Sequence, residues 1–134
     1  MKADPLRPRV ILAVEDNEAN RMLIQAVLEG LGYKILLAGS AAEAHASIAQ
    51  QRPDLILMDI QLPGQDGLSV TRELKADPDL ASIPVVAVTA HAMASDRQLC
   101  LEAGCIGYIA KPFNTRTLGA EIQAFLEPAP LSQE

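Results

Sequence analysis

The sequence has 134 residues, of which 49% are hydrophobic and 21% are charged. That length fits a single domain, and the composition supports a buried core and argues against intrinsic disorder. The formal net charge of −6, without any basic run, disfavours direct binding to nucleic acid, which needs a positively charged surface.

Apolar runs alternate with helical periodicity along the chain, and Pro, Gly and Asp residues lie between them as turn signals. A flexible leader at residues 1–8 and a flexible tail at 128–134 are expected to flank one domain at 9–127. In chain order the predicted elements are a strand at 9–14, a helix at 18–31, a strand at 33–38, a helix at 41–51, a strand at 54–58, a helix at 68–76, a strand at 83–88, a helix at 92–103, a strand at 106–110 and a helix capped by Asn114 or Thr115.

Capping signals and apolar spacing define the predicted helices. The first helix is expected to begin at Asp16 or Asn17, and the second at Ser40, with Glu43 in the capping-box position. The apolar residues that repeat at helical spacing in the first helix are Met22, Leu23, Ala26, Val27 and Leu31. The residues that the last helix is expected to bury are Leu118, Ile122, Phe125 and Leu126.

Five alternations of strand and helix without internal repeats predict a parallel sheet with helices on both faces. The continuous apolar strands agree, because parallel strands are buried on both sides. Right-handed crossovers favour the strand order 2-1-3-4-5. We therefore expect an α/β fold, a doubly wound five-stranded parallel sheet of the flavodoxin-like (βα)5 type. The chain then reverses direction between strands 1 and 3, where a ligand crevice is expected.

Reactive side chains stand where the predicted strands end. Glu15 and Asp16 follow strand 1, and Asp59 follows strand 3. Thr89 and Lys111 follow strands 4 and 5. Because the carboxyl ends of parallel strands share one edge, the three carboxylates should converge and repel each other unless a cation relieves them. Mg²⁺, which binds carboxylates, water and phosphate oxygens, suits such a site. Taken singly, the same residues also fit solvated loop acids, a surface lysine and an ordinary strand threonine.

Five short motifs in order resemble the response-regulator receiver family over about residues 8–127. None is specific alone, but the order and the spacings together are. The motifs are Glu15-Asp16-Asn17, the single Asp59, the Pro63 and Gly67 that follow it, Val88-Thr89-Ala90 and Lys111-Pro112-Phe113. The family also has the strand order expected from the pattern.

The resemblance implies a phosphoryl-transfer site. Asp59 would be the phosphoacceptor, attacking the phosphorus of a phosphohistidine on a histidine kinase or a histidine phosphotransfer protein. Asp16 and Asp59, with the backbone carbonyl of Gln61, would hold Mg²⁺, and Glu15 would act through a metal-bound water. Lys111 would contact the phosphoryl oxygens, together with a threonine hydroxyl.

The resemblance also implies a switch. Thr89 would supply that hydroxyl and move toward the phosphoryl group, and Tyr108 would rotate into the space it leaves. The face formed by the fourth helix, the fifth strand and the fifth helix would then change for a downstream protein target. A packed edge-strand aromatic is the alternative for Tyr108. The Lys111–Pro112 bond is expected to be cis, and His91 is interpreted as an exposed histidine, with an influence on dephosphorylation as the alternative.

We interpret the chain as a receiver similar both to stand-alone regulators and to receivers attached to hybrid kinases. A relay intermediate that passes the phosphoryl group onward is the alternative within the family. A small Mg²⁺-dependent phosphatase is the alternative from another class of protein. Such an enzyme usually has a second acid two residues after its nucleophile, where Gln61 stands here, so the sequence disfavours it. A flavodoxin-like electron carrier needs a phosphate-binding loop after strand 1, where this chain has acids.

Location and redox state follow from simple sequence features. The N-terminal residues lack the apolar stretch of a signal peptide, and no run approaches the roughly 20 apolar residues needed to cross a bilayer. Cys100 and Cys105 do not form a CxxC motif, and we expect two free, partly buried thiols in a reducing compartment. A cytoplasmic protein is therefore predicted.

Overall fold

The structure, a computed structural model, describes residues 8–62, 64–90 and 94–126. All ten predicted strands and helices are found within them, most with bounds shifted by one or two residues. In chain order they are β1 (Val10–Val14), α1 (Glu18–Glu29), β2 (Lys34–Ala38), α2 (Ala41–Gln50), β3 (Leu55–Asp59), α3 (Gly67–Ala76), β4 (Val85–Thr89), α4 (Ala94–Ala103), β5 (Gly107–Ala110) and α5 (Leu118–Leu126).

The five strands form one parallel sheet in the order β2-β1-β3-β4-β5, which confirms the predicted doubly wound topology. β2 is an edge strand, as the predicted strand order requires. In the register, Asp59 at the end of β3 lies opposite Val88, and Thr89 at the end of β4 lies opposite Ala110. The carboxyl ends of β1, β3, β4 and β5 therefore lie along one edge, where the reactive residues were expected.

Two apolar layers hold the helices to the sheet. Helices α2, α3 and α4 cover one face, where α2 contributes Ala44 and Ile48 and α3 contributes Leu74. Helices α1 and α5 cover the other face. Both faces of β1, β3 and β4 are buried, so these strands consist almost entirely of apolar residues.

The buried stripe of α1 differs from the apolar spacing noted in the sequence. Ile24 and Leu28 are buried, one helical turn apart, whereas Met22 and Leu31 are 61% and 59% exposed. Two residues along an α-helix correspond to a rotation of about 200°, so Met22 lies on the side opposite Ile24. Leu31 lies beyond the end of α1, and its Cδ1 occupies the space where a side chain on Gly119 of α5 would begin.

The predicted caps of the first two helices are confirmed. The Asn17 side chain accepts a hydrogen bond from the Asn20 N–H at 3.0 Å and so caps α1. Ser40 Oγ accepts from the Glu43 N–H at 3.2 Å at the start of α2. The Glu43 carboxylate accepts from the N–H of Gly39 at 2.6 Å, so it reaches the residue before the cap rather than the cap itself.

Two other helix starts refine the sequence interpretation. Asp66, one of the Asp turn signals between the predicted elements, is the N-cap of α3, and its Oδ1 accepts from the Leu68 N–H at 2.7 Å. α5 begins at Leu118, so neither of the predicted cap residues, Asn114 and Thr115, directly precedes it. Asn114 Oδ1 instead accepts from the Arg116 N–H at 2.9 Å in the turn before the helix. Within α5, the expected residues Leu118 and Ile122 are buried and Phe125 and Leu126 are half-buried.

Three further sequence predictions concern the thiols, one peptide bond and membrane segments. Cys100 and Cys105 are both free and buried. The Lys111–Pro112 peptide bond is cis, as the resemblance implied. Among the described residues, no helix combines the length and the apolar character that crossing a membrane requires.

Candidate metal and phosphoryl site

Three carboxylates converge where β1 and β3 end. Glu15 and Asp59 are each only 1% exposed, whereas Asp16 is exposed. One oxygen from each of these three carboxylates lies within 4.8 Å of the others. The fold produces this cluster because Glu15 directly follows β1 and Asp59 is the last residue of β3, and the two strands are neighbours. Asp16 and Asp59 thus meet at the point where the strand order reverses.

The Lys111 ammonium lies against the two buried acids. Its Nζ is 2.9 Å from Asp59 Oδ2 and 3.0 Å from Glu15 Oε1, and it donates a 3.3 Å hydrogen bond to Glu15 Oε2. The lysine backbone N–H donates to the Thr89 carbonyl at 2.8 Å, which continues the pairing of β5 with β4. The side chain is therefore directed from the end of β5 across β4 toward β3 and β1.

Burial and pairing act against each other on these groups. Burial raises the pKa of Glu15, although hydrogen bonds from Lys111 and from the Asn17 N–H favour the ionised carboxylate. Burial alone would lower the pKa of Lys111, but the hydrogen bonds to Asp59 and Glu15 outweigh burial and raise that pKa. Lys111 therefore stays protonated at neutral pH and offsets part of the acidic charge.

The backbone after β3 fixes the orientation of Asp59. The N–H of Gln61 donates to Asp59 Oδ1 at 2.9 Å, so each carboxylate oxygen of Asp59 has its own donor, a peptide N–H or the Lys111 ammonium. Gly67 at the start of α3 lies against the same segment: a Cβ added there would be 2.1 Å from the Asp59 carbonyl oxygen. Only glycine allows α3 to begin this close to β3.

Thr89 and Tyr108 lie on the two strands, β4 and β5, that follow β3 in the sheet. Thr89 is buried at the end of β4, and Tyr108 on β5 is half-buried. Side chains alternate along a strand, so Thr89 shares a face of β4 with Ala87, whose register partner is Tyr108. The guanidinium carbon of Arg97 in α4 lies 5.2 Å from the centre of the Tyr108 ring, within cation–π range.

The acidic cluster fits a divalent cation. Lys111 Nζ is near Glu15 Oε1, but no described residue gives that buried oxygen a hydrogen bond of suitable geometry. Such an oxygen keeps lone pairs available to a cation or its bound water. With the acids ionised, three negative charges and one positive charge leave a net charge of −2. The ligands are all oxygens, which Mg²⁺ prefers.

Sequence reasoning located the charged residues of this cluster but missed one neighbour. Arg21 in α1 donates from Nη1 to the backbone carbonyl of Glu15 at 2.8 Å. An arginine in an amphipathic helix resembles any solvated surface residue, so its type and spacing carried no signal. Pro63 and His91, which the resemblance or the site geometry had singled out, lie outside the described residues.

The fold and site together define a class: a flavodoxin-like α/β domain with an acidic pocket at its topological switch point. The sequence matches the response regulator receiver domain over residues 11–123. The chain therefore belongs to the response regulator receiver family, and the expectation drawn from its motifs is confirmed. The predicted domain limits at residues 9 and 127 stay predictions.

Individual relatives agree with this assignment. The polar-differentiation response regulator DivK of Brucella anthropi is 43% identical over 122 residues, which are 91% of this chain and 99% of that protein. A receiver domain of a sensor histidine kinase from Pseudomonas aeruginosa, with a magnesium ion coordinated in its active-site cleft, is 42% identical at a TM-score of 0.80, and the match covers 90% of this chain and 98% of that one. Chemotaxis protein CheY4 of Vibrio cholerae has a TM-score of 0.84 at 25% identity, over 89% and 99% of the two chains.

Proposed function

We propose that Asp59 accepts a phosphoryl group from a phosphohistidine of a histidine kinase or phosphotransfer protein. An Asp59 carboxylate oxygen attacks the phosphorus, the P–N bond breaks, and the imidazole nitrogen keeps the electron pair. The contacts of the Lys111 ammonium with both buried acids carry this proposal, because they put a fixed positive charge beside the nucleophile. Phosphoryl transfer is catalysed mainly by such positioning and charge stabilisation.

The residues proposed to hold Mg²⁺ are Asp16 and Asp59 directly, Gln61 through its backbone carbonyl, and Glu15 through a bound water. When bound, the ion neutralises charge on the transferred phosphoryl oxygens. The hydrogen bond from the Gln61 N–H to Asp59 supports this set, because it brings that residue to the site. The relative from Pseudomonas aeruginosa holds its magnesium in the corresponding kind of cleft.

The proposed output is a change in protein binding. Thr89 moves toward the phosphoryl oxygens, and Tyr108 takes the space that Thr89 leaves. Thr89 and Tyr108 lie on the same face of the neighbouring strands β4 and β5, which supports this coupling. The face formed by α4, β5 and α5 then binds a downstream protein. The chain acts in the cytoplasm as a phosphoacceptor switch that catalyses its own phosphotransfer and dephosphorylation, rather than as a turnover enzyme. Its phosphoryl group is both gained and lost at Asp59.

Replacement of the acceptor tests the proposal. Asp59→Asn should abolish the mass gain of one phosphoryl group during incubation with acetyl phosphate or a phosphorylated phosphotransfer protein in Mg²⁺. Asp54→Asn is the matched control: it makes the same charge change immediately before β3, where Asp54 accepts the Val10 N–H at 2.7 Å. Stable phosphorylation of Asp59→Asn at the wild-type level would show that another residue is the acceptor.

A relay role is the second candidate, favoured by the 42% identity to a receiver domain of a sensor histidine kinase. A relay intermediate should pass its phosphoryl group to a histidine phosphotransfer protein faster than it loses the group to water. Purified phosphorylated protein, mixed with that acceptor, measures both rates. Hydrolysis that outpaces transfer would leave the binding switch as the function.

A further inference from the structure

One arginine side chain contacts two loops at the carboxyl ends of the strands, where the acids lie. Arg21, in the first turn of α1, is half-buried, and its Nη1 donates a 2.8 Å hydrogen bond to the carbonyl of Glu15. The same nitrogen lies beside Gly39 in the loop after β2, where an added Cβ would be 3.0 Å from it. The arginine therefore joins the loop that carries Glu15 and Asp16 to the neighbouring loop.

The second loop is itself fixed. Glu43 in α2 accepts the Gly39 N–H at 2.6 Å, and its carboxylate oxygen would lie 3.4 Å from a Cβ at that glycine. Gly39 is thus held between Arg21 and Glu43, and its lack of a side chain lets the guanidinium approach. The hydrogen bond to Glu43 therefore anchors the loop residue against which the Arg21 guanidinium lies.

The bonded carbonyl belongs to the peptide that joins Glu15 to Asp16, so the hydrogen bond restrains the backbone from which both carboxylates extend. A hydrogen bond from a charged donor is roughly twice as strong as a neutral one, which makes this contact able to hold a loop. The loop needs such a restraint because the three clustered carboxylates repel each other and only part of their charge is offset by Lys111.

We propose that Arg21 is a positioning residue for the cation site: it holds the Glu15–Asp16 peptide so that both carboxylates face Asp59. The inference rests on the proposed function only in treating the acidic cluster as a metal site. Groups that orient metal ligands without touching the metal change affinity about 10–100-fold when they are removed. Because Arg21 acts through one backbone carbonyl, we expect an effect near tenfold, the lower end of that range.

Magnesium titration by calorimetry of the full chain tests the inference. Arg21→Ala should weaken Mg²⁺ binding about tenfold, and Arg21→Lys, which keeps a cationic donor, should recover part of the loss. Arg52→Ala is the matched control, because Arg52 also donates to a backbone carbonyl, that of Asp79, and to Ser82 Oγ at 2.7 Å. Arg52 joins the loops that precede β3 and β4, at the amino ends of the strands and away from the acids. This control should lose stability without losing affinity.

A second readout needs no metal. The Asn17 N–H donates to Glu15 Oε2 at 3.1 Å, so its exchange with deuterium reports on the same loop in the metal-free protein. That amide should exchange several-fold faster in Arg21→Ala and at the wild-type rate in Arg52→Ala. Equal Mg²⁺ affinity in Arg21→Ala and wild type, or equal weakening by Arg52→Ala, would overturn the positioning role alone. A wild-type protein that binds no Mg²⁺ would overturn both this role and the proposed metal site.

Discussion

Lys111 compensates the negative charge of two buried carboxylates, those of Glu15 and Asp59. Its Nζ lies within 3.0 Å of an oxygen of Glu15 and of Asp59, and all three groups are removed from bulk water to different extents. A buried pair contributes little net stability when it is intact, because desolvation offsets the attraction. Loss of one partner is different, since the remaining charge then has no compensation.

Replacement of Lys111 by Met should therefore destabilise the metal-free protein. The side chain keeps its length but loses its charge, and we expect a loss of about 1–3 kcal/mol in the free energy of unfolding at neutral pH. Urea unfolding measures it. Lys34→Met is the control, because Lys34 on β2 is exposed and should change stability by less than about 0.5 kcal/mol. Equal stability of Lys111→Met and wild type would mean that water already screens the two acids.

Cys105 should be unreactive in the folded protein. Burial raises the pKa of its thiol from 9.0 to about 11, and the neighbouring Cys100 adds to the shift. Only the thiolate reacts with alkylating reagents, so labelling of Cys105 by iodoacetamide at pH 8 should be slower than in urea by about a hundredfold or more. Mass spectrometry after timed quenching measures both rates. Comparable labelling in the two states would contradict this environment.

The same shift gives a direction for the effect of pH on stability. The pKa of Cys105 in the folded state is above its unfolded value, so this contribution to stability is complete below pH 9 and is lost as pH rises toward 11. Cys105→Ala removes the titrating thiol. Its unfolding free energy should fall less steeply than that of the wild type over this interval.

At the level of elements, the start of α3 depends on a close approach to β3. Gly67→Ala places a Cβ 2.1 Å from the Asp59 carbonyl oxygen, and that backbone cannot yield without displacing the strand end that carries the proposed acceptor. We expect a loss of at least about 1–3 kcal/mol in stability, as for other overpacked sites, together with slower phosphorylation. Gly30→Ala, at the right-handed C-cap of α1, should be nearly neutral in both measurements.

Local signals predicted the elements well because they act within a few residues. The helix caps at Asn17 and Ser40 each bond an N–H three residues further on, and the apolar runs that predict the strands are equally local. The buried face of α1 is a different kind of property. Met22 and Ala26 form one apolar pair at helical spacing, and Ile24 and Leu28 form another. Only packing against the sheet and α5 determines that the second pair is buried. Helix periodicity identifies such an element but not its orientation when both sides are apolar.

At the level of the whole molecule, topology explains why the site could be predicted. Glu15, Asp59 and Lys111 are far apart in sequence, yet each is the last residue of a strand or directly follows one. Parallel strands bring their carboxyl ends together on one side of the sheet. The contact of Arg21 with the Glu15 carbonyl could not be predicted in this way. A carbonyl acceptor exists at every residue, so a side chain that binds one leaves no pattern of residue types.

Charge balance in the whole chain predicts that Mg²⁺ stabilises the folded protein. The net charge is −6, and the acidic cluster contributes −2 of it after pairing with Lys111. The site forms only in the folded chain, since it joins the ends of β1, β3 and β5. A cation that binds only this state should raise the free energy of unfolding by about 2.7 kcal/mol at a concentration 100 times its dissociation constant.

Thermal unfolding with increasing MgCl₂ measures this stabilisation, and NaCl at matched ionic strength separates it from general screening of the negative charge. Asp16→Asn should lose most of the Mg²⁺-dependent rise in Tm because it removes a proposed ligand, whereas Asp54→Asn should retain it. The two variants change net charge equally, so a difference between them can only come from where the carboxylate stands. If both variants respond to Mg²⁺ as the wild type does, the ion acts on the surface at large and the acidic pocket is not its site.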